Sequence, residues 1–234
     1  MILGWNEYLK TIEHLPWQYV LDEARSGQEN MDRDAAFLEH AEMPLLRLYA
    51  WSRPTLSLGY GQHDDWIDRQ LCQDLGVDIV RRPTGGRALL HLPDEITYAV
   101  VLPKVGNLSI KAAFTGITSI LSEALRKLGV PCSSAADSHV PAGALHPSCL
   151  EVTAPGEITA LGMKLVGSAQ VRRFNNLLQH GAIPRRSNAE LLAKVIPGGR
   201  PQCDLAMTGF ADLEASRLME AWKEAVAAAM GEIV

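Results

Sequence analysis

The amino-acid sequence predicts an α+β domain built on a mixed β-sheet that is flanked by helices, and two patterns support this class. Apolar segments of strand length succeed one another as hairpins, without the strict alternation of strand and helix that a parallel sheet requires. Segment 109–128, by contrast, carries apolar residues at helical spacing and is followed by Gly129, a helix stop signal. With 234 residues the chain can bury a full core, and we expect residues 1–234 to form one domain.

Each predicted strand is a short apolar or alternating segment that is bounded by turn residues. In chain order these strands are 46–51, 55–60, 77–82, 87–91, 95–102, 158–161, 164–171 and 177–183. Residues 83–86 (PTGG) are predicted to be a loop, because proline and paired glycines interrupt regular structure. Segment 130–148 is rich in Pro, Ser, Ala and Gly and lacks periodicity, which indicates a long loop with a functional role or high mobility.

Predicted helices are recognised from apolar spacing and from the signals at their ends. They are 16–25, a segment from Asp64-Asp65 to Gly76, 109–128, a short helix opened by the capping box 187–190, and 212–230. Pro16 lies in the first turn of the first segment, where proline is favoured.

Composition and charge exclude several classes of function. The net charge of -5 argues against bulk electrostatic attraction to nucleic acid. No apolar run approaches the roughly 20 residues that span a bilayer, and the first residues lack the basic start and apolar stretch of a signal peptide. Cys72, Cys132, Cys149 and Cys203 are scattered without a C-x-x-C pair, a pattern typical of reduced cytosolic thiols. We therefore expect a cytoplasmic protein that binds neither nucleic acid nor a membrane.

Two segments have the features of one site in two halves: residues 81–91 (RRPTGGRALLH), and residues 163–170 (MKLVGSAQ) with 179–181 (QHG) after them. Gly85 and Gly86 suit a backbone that must approach a ligand closely, and the flanking Arg82 and Arg87 are candidates to hold a phosphate or carbonyl oxygen. The alternative for this half is a hairpin turn with solvated arginines. Lys164 lies in a stretch poor in charge, either as a poised cation or as an edge-strand lysine that prevents aggregation.

Together these segments resemble the lipoate-protein ligase and octanoyltransferase family, which shares an RRxTGGRAVxH segment and a K-x-x-G-S-A-Q segment followed by HG. The resemblance covers about residues 46–184 and implies the biotin/lipoate-protein ligase catalytic domain, a fold related to class II aminoacyl-tRNA synthetases. It implies that Lys164 is catalytic and that no cofactor is required. We expect no bound metal, because no H-x-x-x-H pattern or His/Asp cluster offers a third convergent ligand. It also implies substrate binding by Arg82, Gly85, Gly86, Arg87, His91, Gly167, Ser168, Ala169, His180 and Gly181.

Cys149 distinguishes the branches of this family. Lipoate ligases carry an Asn-Asp pair near this point, whereas a cysteine about fifteen positions before the motif lysine resembles the LipM-type octanoyltransferases. A thiol is nucleophilic as its thiolate, which a nearby ammonium such as that of Lys164 favours. The alternative is that Cys149 is a small buried hydrophobe. Cys203 is interpreted as structural, because residues 195–199 (VIPGG) have glycine where shorter octanoyltransferases carry their cysteine.

The function that this resemblance implies is transfer of an octanoyl group through a Cys149 thioester. The donor would be octanoyl-acyl carrier protein, and the acceptor a lysine of a lipoyl domain or of the glycine cleavage H protein. Arginines at 172–173 and 185–186 are either scattered surface charge or a docking face for an acidic carrier. The alternatives are an ATP-dependent lipoate or octanoate ligase and a non-catalytic lipoyl-binding module. The chain ends about 50 residues after Pro184, so we expect no C-terminal accessory domain of the kind that full ligases carry.

Overall fold

The computed structural model describes residues 2–134, 157–199 and 202–231, which form six helices and eleven strands. The helices are α1 Trp5–Ile12, α2 Gly27–Glu39, α3 Arg69–Asp74, α4 Ile110–Lys127, α5 Ala189–Val195 and α6 Ala215–Gly231. The strands are β1 Gln18–Leu21, β2 Leu45–Tyr49, β3 Thr55–Leu58, β4 Asp78–Arg81, β5 Leu89–His91, β6 Ile96–Leu102, β7 Ser133–Ser134, β8 Ile158–Ala160, β9 Met163–Lys164, β10 Gly167–Arg173 and β11 Asn176–Ile183.

The largest sheet has five strands in the order β1-β2-β6-β11-β10. β1 pairs with β2 in parallel, and the other neighbours are antiparallel. Every residue of β6 and β11 is buried, so layers of structure cover both faces of the sheet centre. On one face, alternate β6 residues such as Tyr98 and Val100 pack with α1, α4 and α6 in the main hydrophobic core.

The opposite face of this sheet carries α2 and a second sheet of three strands, β4-β3-β5. Met31 and Leu38 of α2 pack against Ala99 and Val101, the β6 residues that point away from the main core. The second sheet has its own apolar cluster with α3 and α5. A third sheet, β7-β8-β9, is antiparallel and places Ile158 and Ala160 in the main core. The five-stranded sheet and the β4-β3-β5 sheet thus face each other around α2. The glycine-containing loop 83–86 lies in the connection from β4 to β5.

The α+β class and the mixed sheet flanked by helices are confirmed, and α4 agrees with its predicted bounds within two residues. Ser109 caps this helix by accepting a hydrogen bond from the backbone of Ala112. The predicted strands of the five-stranded sheet and of the β4-β3-β5 sheet are found as β2 to β6 and β11, with bounds that differ by up to two residues. The prediction for 130–148 lies mostly outside the described residues, since only 130–134 are described.

Several local predictions are wrong. Segment 16–25 contains strand β1 instead of a helix, because parallel pairing with β2 satisfies its backbone. Helix α3 begins at Arg69 behind the cap residue Asp68, not at Asp64-Asp65. Segment 164–171 is two strands in two different sheets, β9 and β10. Helix α5 is capped by Asn188, one residue later than the predicted capping box, and α6 begins at residue 215 instead of 212.

Helices α1 and α2 were not predicted, although α2 has a start signal. Ser26 and Glu29 form a capping box in which Ser26 Oγ accepts from the Glu29 backbone and the Glu29 carboxylate accepts from the Ser26 backbone. The helix is polar on most of its surface, which hides its apolar stripe in the sequence.

Candidate functional site

A cavity lies where residues of the five-stranded sheet and of the β4-β3-β5 sheet meet α2. From the predicted site it is lined by Arg82, His91, Gly167, Ser168, Ala169, His180 and Gly181. The structure adds Met31, Tyr49, Trp51, Ser57, Leu89 and Thr97, which the sequence did not single out. Gly85, Gly86, Arg87 and Lys164 are not part of this lining, so the structure brings most of the predicted residues together but not all of them.

Arg82 braces the loop that contains Gly85. Its guanidinium, almost fully buried, donates from Nη2 to the carbonyl oxygens of Gly85 at 2.9 Å and Arg87 at 2.7 Å. Nη1 donates to the backbone oxygen of Ser57 at 3.0 Å and to its Oγ at 3.3 Å, and Nε donates to Thr84 Oγ1 at 3.2 Å. These contacts engage each nitrogen of the guanidinium, so Arg82 fixes the shape of the loop from inside.

The loop is also held from outside by the turn that follows β3. Gly86 has a φ of +96°, a left-handed conformation that favours glycine. Its carbonyl oxygen lies so near Gly59 that a Cβ added there would be 2.0 Å away. The backbone of Tyr60 donates to the Thr84 carbonyl at 2.8 Å, and Arg81 Nη1 donates to the Gly59 carbonyl at 2.8 Å. The two backbone segments are therefore in direct contact.

His180 links this loop to the large sheet. Its Nδ1 lies 2.8 Å from a carboxylate oxygen of Asp34, and its Nε2 lies 2.7 Å from Thr84 Oγ1. The carboxylate is bonded to Arg47 at 2.7 Å and to the Tyr49 hydroxyl at 3.0 Å, so it acts as an acceptor. His180 Nδ1 therefore carries the proton, and Nε2 accepts from the Thr84 hydroxyl.

His91 is held in the same way on the other side of the cavity. Nδ1 lies 2.7 Å from Glu95 Oε1 and Nε2 lies 2.8 Å from Ser57 Oγ. The ring stacks on Trp51 with centroids 4.1 Å apart and planes 19° apart. Trp51 Nε1 and the Thr97 hydroxyl also donate to Glu95 Oε1. Glu95 thus holds Nδ1 of the ring, and Nε2 faces the Ser57 hydroxyl.

The hydrogen-bonded chains through His180 and through His91 meet at Arg82, which donates to the hydroxyls of Thr84 and Ser57. The result is one hydrogen-bonded network that runs through Asp34, His180, Thr84, Arg82, Ser57, His91 and Glu95. The network connects the two motif segments, which lie on different sheets. Because its members bond one another, the polar side of the cavity wall is satisfied without a ligand.

The pH dependence of stability follows from His180. Burial lowers the pKa of His180 below its ordinary value, against the opposing effect of the Asp34 carboxylate. As the pH falls below about 6.5, the unfolded chain takes up this proton first, so the free energy of unfolding should decrease until the folded-state pKa is passed. Denaturant titrations at pH 8, 7, 6 and 5 should show this loss, and His180→Asn should reduce it. His14→Asn, at an exposed histidine, is the control, and an unchanged slope in His180→Asn would contradict the assignment.

Lys164 is paired with a residue that the sequence did not single out. Its Nζ lies 2.6 Å from Glu157 Oε1, and both side chains are buried, 2% and 7% exposed. Burial raises the pKa of Tyr98 to about 12, and the Glu157 carboxylate contributes to that rise. The Tyr98 hydroxyl is bonded to Ser168 Oγ at 2.8 Å, and Ser168 lines the cavity.

The predicted nucleophile Cys149 lies outside the described residues. The described cysteines Cys72, Cys132 and Cys203 are free thiols, and burial raises the pKa of each of them, which disfavours the thiolate. Cys203 is fully buried, and its backbone donates to the Lys164 carbonyl at 3.2 Å. This environment fits the structural role expected for Cys203.

Within residues 2–134, 157–199 and 202–231, no group of three or more His, Cys, Asp and Glu side chains is arranged to hold a metal ion. Over the same part of the chain, each helix is too short or too polar to cross a membrane.

Comparison with known proteins places the chain in a family. Residues 26–225 match the lipoyl protein ligase A/B catalytic domain. The octanoyltransferase LipM of Carboxydothermus hydrogenoformans is 40% identical over 189 residues, which are 77% of this chain and 69% of that protein. The octanoyltransferase LipM of Moorella thermoacetica is 40% identical over 176 residues, 70% of this chain and 62% of the relative.

Among solved structures, lipoate-protein ligase A bound with ATP superposes with a TM-score of 0.76 at 20% identity, covering 93% of this chain and 86% of that one. The fold is therefore that of the lipoate-protein ligases. The sequence match and the architecture agree that this chain belongs to the lipoyl protein ligase A/B catalytic-domain family.

Proposed function

We propose that this protein is an octanoyltransferase of lipoate biosynthesis, which moves an octanoyl group from octanoyl-acyl carrier protein to a carrier-protein lysine. The acceptor is a lipoyl domain or the glycine cleavage H protein. The observation that carries the proposal is the cavity, because its polar wall groups bond one another and its free surface is apolar. The similarity to octanoyltransferases named LipM supports the same reaction.

The cavity suits an acyl chain in its lining. Met31, Trp51 and Leu89 supply apolar wall area, against which a hydrocarbon chain can pack. A Cβ on Gly181 would lie 2.4 Å from the Gly167 carbonyl oxygen and 2.6 Å from Tyr98 Cε1, so glycine lets β10 and Tyr98 pack closely against β11 beside the cavity.

The proposed chemistry has two half-reactions in a single catalytic domain. Cys149 attacks the donor thioester and becomes acylated, which breaks the donor C–S bond and releases the thiol of the acyl carrier protein. The acceptor lysine then attacks the new thioester, so that an amide forms and the Cys149 thiol is released. Lys164 favours the Cys149 thiolate and takes part in proton transfer. The backbone of the loop at Gly85 and the Ser168 region stabilise the tetrahedral oxyanion. The first exchange is nearly balanced and the second is downhill, so no nucleotide is consumed. The free thiols among the described cysteines are in keeping with a cytoplasmic enzyme.

The proposal predicts a covalent acyl-enzyme that forms without ATP. Mixing the protein with octanoyl-acyl carrier protein in nucleotide-free buffer should add one octanoyl mass, which hydroxylamine removes and peptide mapping places on Cys149. Cys149→Ala should neither load nor transfer. Cys132→Ser, which changes a cysteine with a raised pKa, should load normally. Mass spectrometry of the intact protein is the readout.

A second measurement, with a different acyl source, separates the transferase from an ATP-dependent ligase. Free octanoate and ATP are added in place of the carrier thioester, and pyrophosphate is measured. A transferase releases little pyrophosphate and modifies the acceptor poorly under these conditions. Rapid pyrophosphate release, or native transfer by Cys149→Ala, would assign the chain to the ligases instead.

A further inference from the structure

We propose that Glu157 is a positioning residue of the transfer step, which takes a proton from Lys164 so that Lys164 can accept one from the incoming acceptor lysine. This inference rests on the proposed octanoyltransferase function and assigns a role to a residue outside both motif segments.

The geometry of the pair favours proton exchange between its two members. Glu157 Oε1 and Lys164 Nζ are 2.6 Å apart, a short charge-assisted hydrogen bond along which a proton can move. The β8–β9 hairpin holds the two residues together, with Thr159 opposite Lys164 in the register. The backbone of Leu165 also donates to the Ile158 carbonyl at 2.9 Å. The pair is therefore set by regular backbone pairing instead of by a flexible surface contact.

Both charges of the pair are buried. Taking an ammonium and a carboxylate out of water is costly, and apolar side chains would serve a purely structural purpose at least as well. A buried pair in hydrogen-bond contact therefore favours a chemical role for Glu157 over a structural one.

Ionisable groups near the pair are described on two other elements. Burial, with a contribution from the Glu157 carboxylate, raises the pKa of the Tyr98 hydroxyl of β6, so it keeps its proton at neutral pH. The backbone of Cys203 donates to the Lys164 carbonyl, and burial raises the pKa of its thiol. The carboxylate of Asp204 accepts two backbone N–H groups. Glu157 is the carboxylate in direct contact with Lys164 Nζ, at 2.6 Å.

The transfer step removes two protons from the acceptor nitrogen. The proton on Lys164 Nζ moves to Glu157, and the acceptor ammonium gives a proton to Lys164, which becomes charged again. The acceptor amine attacks the acyl carbon, the C–N bond forms, and the C–S bond to Cys149 breaks. The second proton on the nitrogen passes to the departing sulfur, and Glu157 releases its proton to solvent. One thioester and one ammonium thus give one amide, one thiol and one proton.

The test uses the full protein preloaded with octanoyl on Cys149, followed by single-turnover transfer to the acceptor carrier. Glu157→Gln keeps the shape of the side chain but cannot take the proton. At pH 7 its transfer should be slower by about 10²-fold, within the range for general acid–base catalysis. The defect should shrink toward pH 10, because a free lysine loses its proton near pH 10.4 without help. Deacylation by hydroxylamine, an amine that is unprotonated at neutral pH, should proceed at the wild-type rate.

Three further measurements keep the result interpretable. Glu157→Asp should recover part of the transfer rate, since it restores a carboxylate. Glu190→Gln removes the carboxylate of an exposed pair with Lys194, which is 2.7 Å long, and should behave as wild type. Thermal unfolding reports whether each variant is folded, and if Glu157→Gln is not, the pH and hydroxylamine measurements are made on Glu157→Asp.

Failure of this inference is distinct from failure of the proposed function. If the wild type neither loads nor transfers octanoyl, the octanoyltransferase assignment is lost. If the wild type does both, native transfer by Glu157→Gln at pH 7 would overturn the role of Glu157 alone. A defect that is equal at every pH, or equal with hydroxylamine, would overturn it as well, because that pattern indicates a purely structural residue.

Discussion

Arg47→Met is expected to lower the free energy of unfolding by about 3–5 kcal/mol, the usual effect of removing one partner from a buried ion pair. Arg47 is fully buried and donates to Asp22 and Asp34 at 2.7 Å, and its guanidinium lies 3.8 Å from the Tyr49 ring centroid. Methionine retains apolar packing but leaves the buried carboxylate of Asp34 without its cation. Urea denaturation at pH 7 measures the loss.

A matched control is available on the surface. Arg126→Met breaks an exposed pair with Glu123 of 3.1 Å and should change stability by less than about 1 kcal/mol. If Arg47→Met were no more destabilising than this control, the buried contacts of Arg47 with Asp22 and Asp34 would not stabilise the fold as expected. Loss of Arg47 should also disturb the orientation of the His180 ring, because the Asp34 carboxylate that Arg47 contacts is bonded to His180 Nδ1.

Gly59→Ala is expected to reduce acyl loading by about 10²-fold or more, the scale on which a misplacement of about 1 Å affects catalysis. The added methyl would lie 2.0 Å from the carbonyl oxygen of Gly86, and the obstacle is backbone that cannot rotate away. The loop must therefore move, and with it the carbonyl groups that Arg82 holds. Initial rates of loading from octanoyl-acyl carrier protein provide the measurement.

Gly61→Ala is the control for this substitution. It lies in the same turn, but a Cβ there meets nothing within 4 Å. Loading by Gly61→Ala should match the wild type, whereas equal behaviour of the two variants would show that the close contact between the turn and the glycine loop is unimportant.

Regular elements with strong local signals could be predicted from the sequence. Helix α4 has an apolar stripe, the cap residue Ser109 and a glycine after its end, and all three are local features. β1 has no such signal, since its four residues become a strand only by pairing with β2. The break between Lys164 and Gly167 was missed for the same reason, because membership of different sheets is decided by distant partners.

The candidate site was predictable where a motif marks it and not where a single polar residue completes it. Seven predicted residues line the cavity, from Arg82 to Gly181. Asp34 was missed because its partner His180 is 146 positions away and no spacing rule connects them. Glu157 was missed because it precedes a short strand without a recognisable pattern. The position of Cys149 relative to Lys164 stays a prediction, since that residue is outside the described part of the chain.

The hydrogen-bonded network around Arg82 has a consequence for which acyl groups the protein accepts. The donors and acceptors of His91, His180 and the hydroxyls beside them are already engaged with one another. If the acyl chain lies in this cavity as we propose, a hydroxyl carried on it would meet groups that already bond one another, and it would lose its water at a cost of about 1–3 kcal/mol. We therefore expect saturated chains to be favoured over hydroxylated ones without any direct polar contact.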